Sequence, residues 1–149
     1  MTTLIFVLRR KIHLKGFRFE RVLKAYERLN ALDHDQIYGD SFTIAADAIE
    51  NIGNNVSLVY RNLDFGESGS TKFVLCGRSS LDRNTIHLLF EGSDGEQKHI
   101  IEFGSSENYV EREFALRERV SGSQTVTLMF LPGSRFDLKA FRFLPSGQD

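Results

Sequence analysis

From residue 56 onward, apolar and polar positions alternate in short runs separated by glycine-containing turns. Val56–Tyr60 reads as a strand. Lys72–Gly77 alternates with Phe73 and Leu75 on one face. Thr85–Glu91 and Gln97–Phe103 flank Ser93-Asp94-Gly95, a hairpin signal. Tyr109–Leu116 sets Val110, Arg112 and Phe114 opposite Glu111, Glu113 and Ala115, after a polar loop over Gly104–Asn108. Gln124–Leu131 and 136–144 are the last two strands, the latter apolar on both faces: Phe141 with Phe143, Leu138 with Ala140. Strands at roughly ten-residue spacing with little helix predict an all-β, antiparallel jelly-roll β-sandwich.

The first half is less regular. Val22, Ala25, Tyr26, Leu29 and Leu32 fit a helical stripe, while Tyr26–Leu32 also fits a strand. The reading adopted is a linker over 20–25 and a sandwich over 26–149 that opens with that strand. Asp35–Asp40 reads as a turn region and Ser41–Ala45 as short and extended. Ala46–Glu50 reads as one helical turn, and Asn51–Asn55 as loop.

One stretch occurs twice. TLIFVLRRKIHLKGFRF at 3–19 aligns without a gap to TLMFLPGSRFDLKAFRF at 127–143, Thr3 against Thr127 and Phe19 against Phe143. Residues 1–19 are therefore expected to be the tail strands of a truncated preceding copy of the same module. Such a pair cannot bury both faces alone, so it is expected to dock or to form a homodimer through residues 3–19.

Composition changes little. A net charge of −1 points neither to nucleic acid nor to a membrane surface. The lone Cys76 allows no internal disulfide and reads as a small core residue. Leu4–Leu8 is too short to span a membrane, and its basic residues follow it, the wrong order for a secretory leader. The compartment stays open, with a lean toward the cytoplasm. No catalytic constellation emerges: Gly66–Ser70 lacks the second glycine of a nucleophile elbow, and His13, His34, His87 and His99 have no metal spacing. Asp33-His34-Asp35 opens like a calcium loop, but Ile37 and Tyr38 occupy the places of a ligand and a glycine. A binding face on the loops is the better use of this framework. Sugar recognition asks for an aromatic platform and fixed polar groups. The candidates are Tyr38, Asn54, Asn55, Tyr60, Arg135 and Asp137. Plainer readings stand beside them: Asn54 and Asn55 as turn residues, Tyr60 as core, Asp137 as a turn or solvent residue.

The run IGNNVSLVY…LDFGESGSTKFVLCGRS…NTIHLLFEG…VTLMFLPGSRFDLKAFRF resembles the family 6 carbohydrate-binding modules. It is most similar to the version at the C-terminus of family 2 glycoside hydrolases, the β-galactosidase group, and covers roughly residues 26–144. The resemblance implies a galactose-binding-domain-like sandwich that binds an oligosaccharide or β-galactoside glycan and accompanies the catalytic domains of a parent hydrolase. A catalytic barrel needs about 250 residues, so this chain cannot hold it. The family's closing strand reads Asn-x-Asp-Trp-Phe. Here Asp137 stands at the Asn that often bonds a sugar hydroxyl, Lys139 at the Asp and Ala140 at the Trp. Two acids of a structural calcium site in the family's first strand align with Asn30 and Leu32, and the aromatic after "NV" is Leu58, with Tyr60 two positions on. An ammonium at 139 repels a divalent cation, so the expectation is no cofactor and no calcium. Two readings follow: a non-catalytic carbohydrate-binding accessory module, or a structural and oligomerisation module of that enzyme without a sugar site.

Overall fold

The computed structural model describes residues 23–146. Its strands are β1 (Leu23–Lys24), β2 (Leu29–Asn30), β3 (Gln36–Tyr38), β4 (Thr43–Ile44), β5 (Ile49–Ile52), β6 (Val56–Asp64), β7 (Ser70–Ser79), β8 (Asn84–Gly92), β9 (Gly95–Phe103), β10 (Ser106–Val120), β11 (Ser123–Phe130) and β12 (Phe136–Pro145). The helical content among the described residues is one 3₁₀ turn, Ala31–Asp33. One sheet runs β1-β6-β11-β8-β9 with β3 also on β6; the other runs β10-β7-β12-β5-β4 with β2 on β12. All pairings are antiparallel except β1 with β6. The expected jelly-roll sandwich is what the chain forms. No described helix is long and apolar enough to cross a membrane.

The core lies between the sheets and is built on phenylalanine. Phe65, Phe73, Phe90, Phe141 and Phe143 interlock, with Phe65 edge-on to Phe143 at 4.8 Å and to Phe90 at 6.0 Å. Phe103, Phe130 and Phe136 form a second group, with 4.9 Å between the rings of Phe103 and Phe136. Edge-to-face contacts between rings add to the area they bury. Tyr60 belongs here too: it is fully buried, edge-on to Phe141, and its hydroxyl donates to the Ala31 carbonyl at 2.8 Å. Burial, then the nearby Asp33 and Asp35 carboxylates, raises its pKa, so it stays a neutral donor.

β12 departs from strict alternation. Leu138 pairs with Gly77 and Ala140 with Cys76, which leaves Lys139 as the extra residue of a bulge. Leu138 and Phe141 therefore both reach the core, and Ala140 turns outward beside Cys76. The expected pairing of Leu138 with Ala140 on one face is corrected by that extra residue. On the outer face, long polar side chains cover Val74 and Cys76: Arg142 and Arg28 both reach Glu111, at 3.7 and 3.5 Å.

The irregular first half differs most from expectation. Leu23–Lys24, assigned to the linker, pair with Leu63–Asp64, and Ala25 is fully buried with its carbonyl accepting from the Phe143 N–H. In place of a Tyr26–Leu32 strand or helical stripe, only Leu29–Asn30 pair, against Phe141 and Ala140. Asn30 then caps the 3₁₀ turn. The Asp35–Asp40 turn region contains β3. The helical turn expected over Ala46–Glu50 and the loop over Asn51–Asn55 give way to β5, whose Ile49 and Ile52 are fully buried. Apart from the short pairing of β4 with β5, the partner strands lie far away in sequence, which local pattern does not register. The expectations for residues 3–19, strands of a preceding copy and a dimer contact, lie outside the described residues.

Two outcomes test this packing. Gly77 is the gap that admits Phe136: an added Cβ would meet that ring and, at 2.9 Å, the Asp137 carbonyl oxygen. Gly77→Ala should cost about 1–3 kcal/mol of unfolding free energy in urea titration. His99 is buried, edge-on to Phe90, with Nδ1 accepting from the Arg117 N–H at 3.3 Å. Burial first, then the Arg117 charge, lowers its pKa below the ordinary 6.5, with Glu118 opposing. The unfolded chain therefore binds the proton more readily. The stabilisation is whole above pH 6.5 and is lost as pH falls from there through the lower folded-state value. Melting temperature should drop between about pH 7.5 and 5.5, and less steeply in His99→Gln, which keeps an acceptor but cannot charge.

Candidate functional site

Strands that run up and down put alternate connections at the same end of the sandwich. Here the connections β3–β4, β5–β6, β7–β8, β9–β10 and β11–β12 share one end. Buried Asn84, the first residue of β8, ties several of them. Its Oδ1 accepts from the Arg135 N–H at 3.0 Å, and its Nδ2 donates to the Phe103 carbonyl at 3.1 Å and the Leu81 carbonyl at 3.4 Å. Ser79 adds a bond from its hydroxyl to the Arg135 carbonyl. Among these loops lies a cleft of about 510 Å³, lined by Asn51, by Arg78–Ser80, by Ser105–Glu107, and by Arg135 and Asp137.

Asp137 is the fixed polar group of the cleft. Its Oδ2 accepts from Arg78 Nε at 2.7 Å, and its Oδ1 accepts from the Asn51 N–H at 2.9 Å. Asn51 has a φ of 55°, in the left-handed region that asparagine tolerates, and this turns its N–H toward the carboxylate. Arg78 also reaches Glu50 at 3.5 Å and lies over the Tyr109 ring, 4.4 Å from its centre. The hydrogen bond to Asp137 is the main cause of its raised pKa. The Tyr109 hydroxyl donates to Glu50 at 3.2 Å. Burial holds its pKa well above the usual range, against the opposing pull of Arg78, with Asp137 and Glu50 adding to the rise. Arg135 projects into the cleft, and among the described residues its guanidinium makes no ion pair. The cleft can hold hydroxyl or charged groups by directed hydrogen bonds. Among the described residues no aromatic side chain lines it, and the Tyr109 ring is overlaid by Arg78 and by Lys139, whose Nζ is 4.6 Å from its centre.

Of the residues singled out in sequence, Arg135 and Asp137 meet here. Asn54 and Asn55 shape the same end without lining the cleft: Asn54 Oδ1 accepts from the Gly133 N–H at 3.0 Å, and Asn55 takes a φ of 59°. Tyr38 is half-exposed on β3, pairs with Ser57, and does not line the cleft. Tyr60 is in the core, where no ligand reaches it. Asn51, Arg78, Ser79, Asn84 and Tyr109 escaped the sequence reading. The one local cue was Gly77 before Arg78, a glycine inside a strand that marks a close approach.

The calcium implied by the family resemblance can be tested on the residues at its expected place. Leu32 is apolar and packs against the core. Asn30 Oδ1 is committed to the Leu32 N–H at 2.8 Å and its Nδ2 to the Asp47 carbonyl at 3.0 Å. Lys139 Nζ lies 3.7 Å from Asp47 Oδ2. Calcium takes six to eight oxygens at about 2.3–2.6 Å. Among the described residues no three His, Cys, Asp or Glu side chains converge to supply them. These residues do not fit a calcium ion.

No family model and no characterised protein matches the chain by sequence. Solved structures do match its fold. CsCBM6-3 from Clostridium stercorarium, in complex with cellobiose, superposes with a TM-score of 0.73 at 23% identity, over 86% of this chain and 100% of that one. A family 6 carbohydrate-binding module from Clostridium cellulolyticum, in complex with xylose, gives 0.68 at 22% identity over 81% and 98%. This chain has the fold of the family 6 carbohydrate-binding modules. A glycoside hydrolase family 43 arabinoxylan arabinofuranohydrolase from Bacillus subtilis, in complex with cellotetraose, also matches, with a TM-score of 0.68 at 20% identity. The match covers 87% of this chain but 29% of that enzyme.

The Arg78–Asp137 pair should be measurable as a coupling. Each side chain is partly exposed, 36% and 20%, so solvent screening limits its strength. A double-mutant cycle with Arg78→Ala and Asp137→Ala, read by urea denaturation, should give about 0.5–1.5 kcal/mol.

Proposed function

We propose that this chain is a non-catalytic carbohydrate-binding module that holds an oligosaccharide in the cleft between Asn51, Arg78, Arg135 and Asp137. The observation that carries the reading is a cleft of fixed polar groups at the loop end of a sandwich with the family 6 fold. A carboxylate oriented by Arg78 and the Asn51 N–H keeps lone pairs for sugar hydroxyls, and Arg135 supplies donors across from it.

The finer reading rests on the sequence resemblance: a β-galactoside glycan as ligand, and a β-galactosidase-like glycoside hydrolase as the parent enzyme. In the same reading residues 3–19 are the closing strands of another copy. In the described copy the matching Leu128, Phe130, Leu138, Phe141 and Phe143 are core residues. Both β11 and β12 have a strand on each side, so a second copy of that segment finds their places filled. One observation favours the alternative of a structural module without a sugar site. Among the described residues no aromatic lines the cleft, and the Tyr109 ring already carries two cations.

Titration against cello-, xylo- and galacto-oligosaccharides decides between the two. The binding reading expects saturable heat with at least one of them, weakened about tenfold or more in Asp137→Ala, a loss of at least about 1.4 kcal/mol. Silence across a wide glycan panel, from a protein that melts cooperatively, leaves the structural module.

A further inference from the structure

Lys139 is the extra residue in the β12 bulge, and its side chain crosses the outer face of the sheet. Its Nζ lies 3.7 Å from Asp47 Oδ2 in the β4–β5 connection and 4.6 Å from the centre of the Tyr109 ring on β10. Asn30 on β2, paired with Ala140, donates its side-chain amide to the Asp47 carbonyl at 3.0 Å. Three peripheral pieces thus meet around one ammonium: β2, the β4–β5 hairpin and edge strand β10. Both β2 and β4 are two residues long, and strands that short have too few ladder bonds to hold themselves in place.

We propose that Lys139 is a built-in cation that does the work of a structural divalent ion. It neutralises Asp47 and fastens the hairpin to β12, with Asn30 supplying the second tie. Asn30 Oδ1 and the Asp47 backbone oxygen, the uncharged oxygens at this place, already accept from N–H donors. An ion approaching Asp47 would also face the charge on Lys139. The consequence extends to the cleft. The Tyr109 ring that receives Lys139 also receives Arg78, and Arg78 holds Asp137. The tie at Lys139 and the ion pair of the cleft thus share one ring.

The test is the melting temperature of the full chain, which does not depend on the ligand reading above. Wild type in about 10 mM calcium and in EDTA should agree within about 1 °C, because a bound ion would show as a linkage shift. Lys139→Met keeps the stem but not the charge and should melt about 2–4 °C lower in either buffer. Two results would overturn the proposal: a wild-type rise in calcium that EDTA reverses, or a Lys139→Met chain that melts like wild type.

Discussion

Among the described residues no α-helix packs on either sheet, so the two sheets bury against each other, and they do so with phenylalanine. The rings of Phe65, Phe73, Phe90, Phe141 and Phe143 span the gap, and a second set, Phe103, Phe130 and Phe136, fills the loop end. β12 contributes to both sets and lies between β7 and β5. Planar side chains of this size pack only in a fixed register, so small backbone adjustments are made around them. The missing side chain at Gly77 and the bulge at Lys139 are two such adjustments, and both serve the rings of β12.

The same adjustments create the polar surface. A bulge places one residue out of step, and that residue is Lys139, free to cross the outer face toward Asp47 and Tyr109. A left-handed Asn51 in β5 aims its N–H at Asp137. The cleft floor is thus ordered by hydrogen bonds that begin at irregularities in strands whose other faces are dry. Because Arg78 follows Gly77 directly, the glycine that admits the Phe136 ring and the arginine that meets Asp137 are neighbours on β7.

The chemistry of the cleft differs from that of an aromatic sugar platform. Contact with a sugar's C–H face needs an open ring, and the ring of Tyr109 is used to hold cations. The cleft lining offers directed hydrogen bonds and charge in place of a ring face. Such a site draws its selectivity from the geometry of its polar groups more than from apolar area.

By itself the sequence determined the long strands from Val56 onward and the sandwich they make. Alternation and glycine turns are local properties, and each of those strands carries enough of them to be read alone. It also marked Arg135 and Asp137, which lie beside the loop before the closing strand. Tertiary structure alone decided the short strands β1 to β5, because two to four residues contain too little pattern and are fixed by partners such as Leu63, Val59 and Phe141. It decided that Tyr60 is core, since a tyrosine near a loop looks the same in sequence whether its ring points inward or out. And it decided the cleft, whose residues come from β5, β7, β10 and β12. Contacts such as Asn51 to Asp137 or Asn84 to Arg135 join residues far apart in the chain, and only the packing of the two sheets sets them within hydrogen-bond reach.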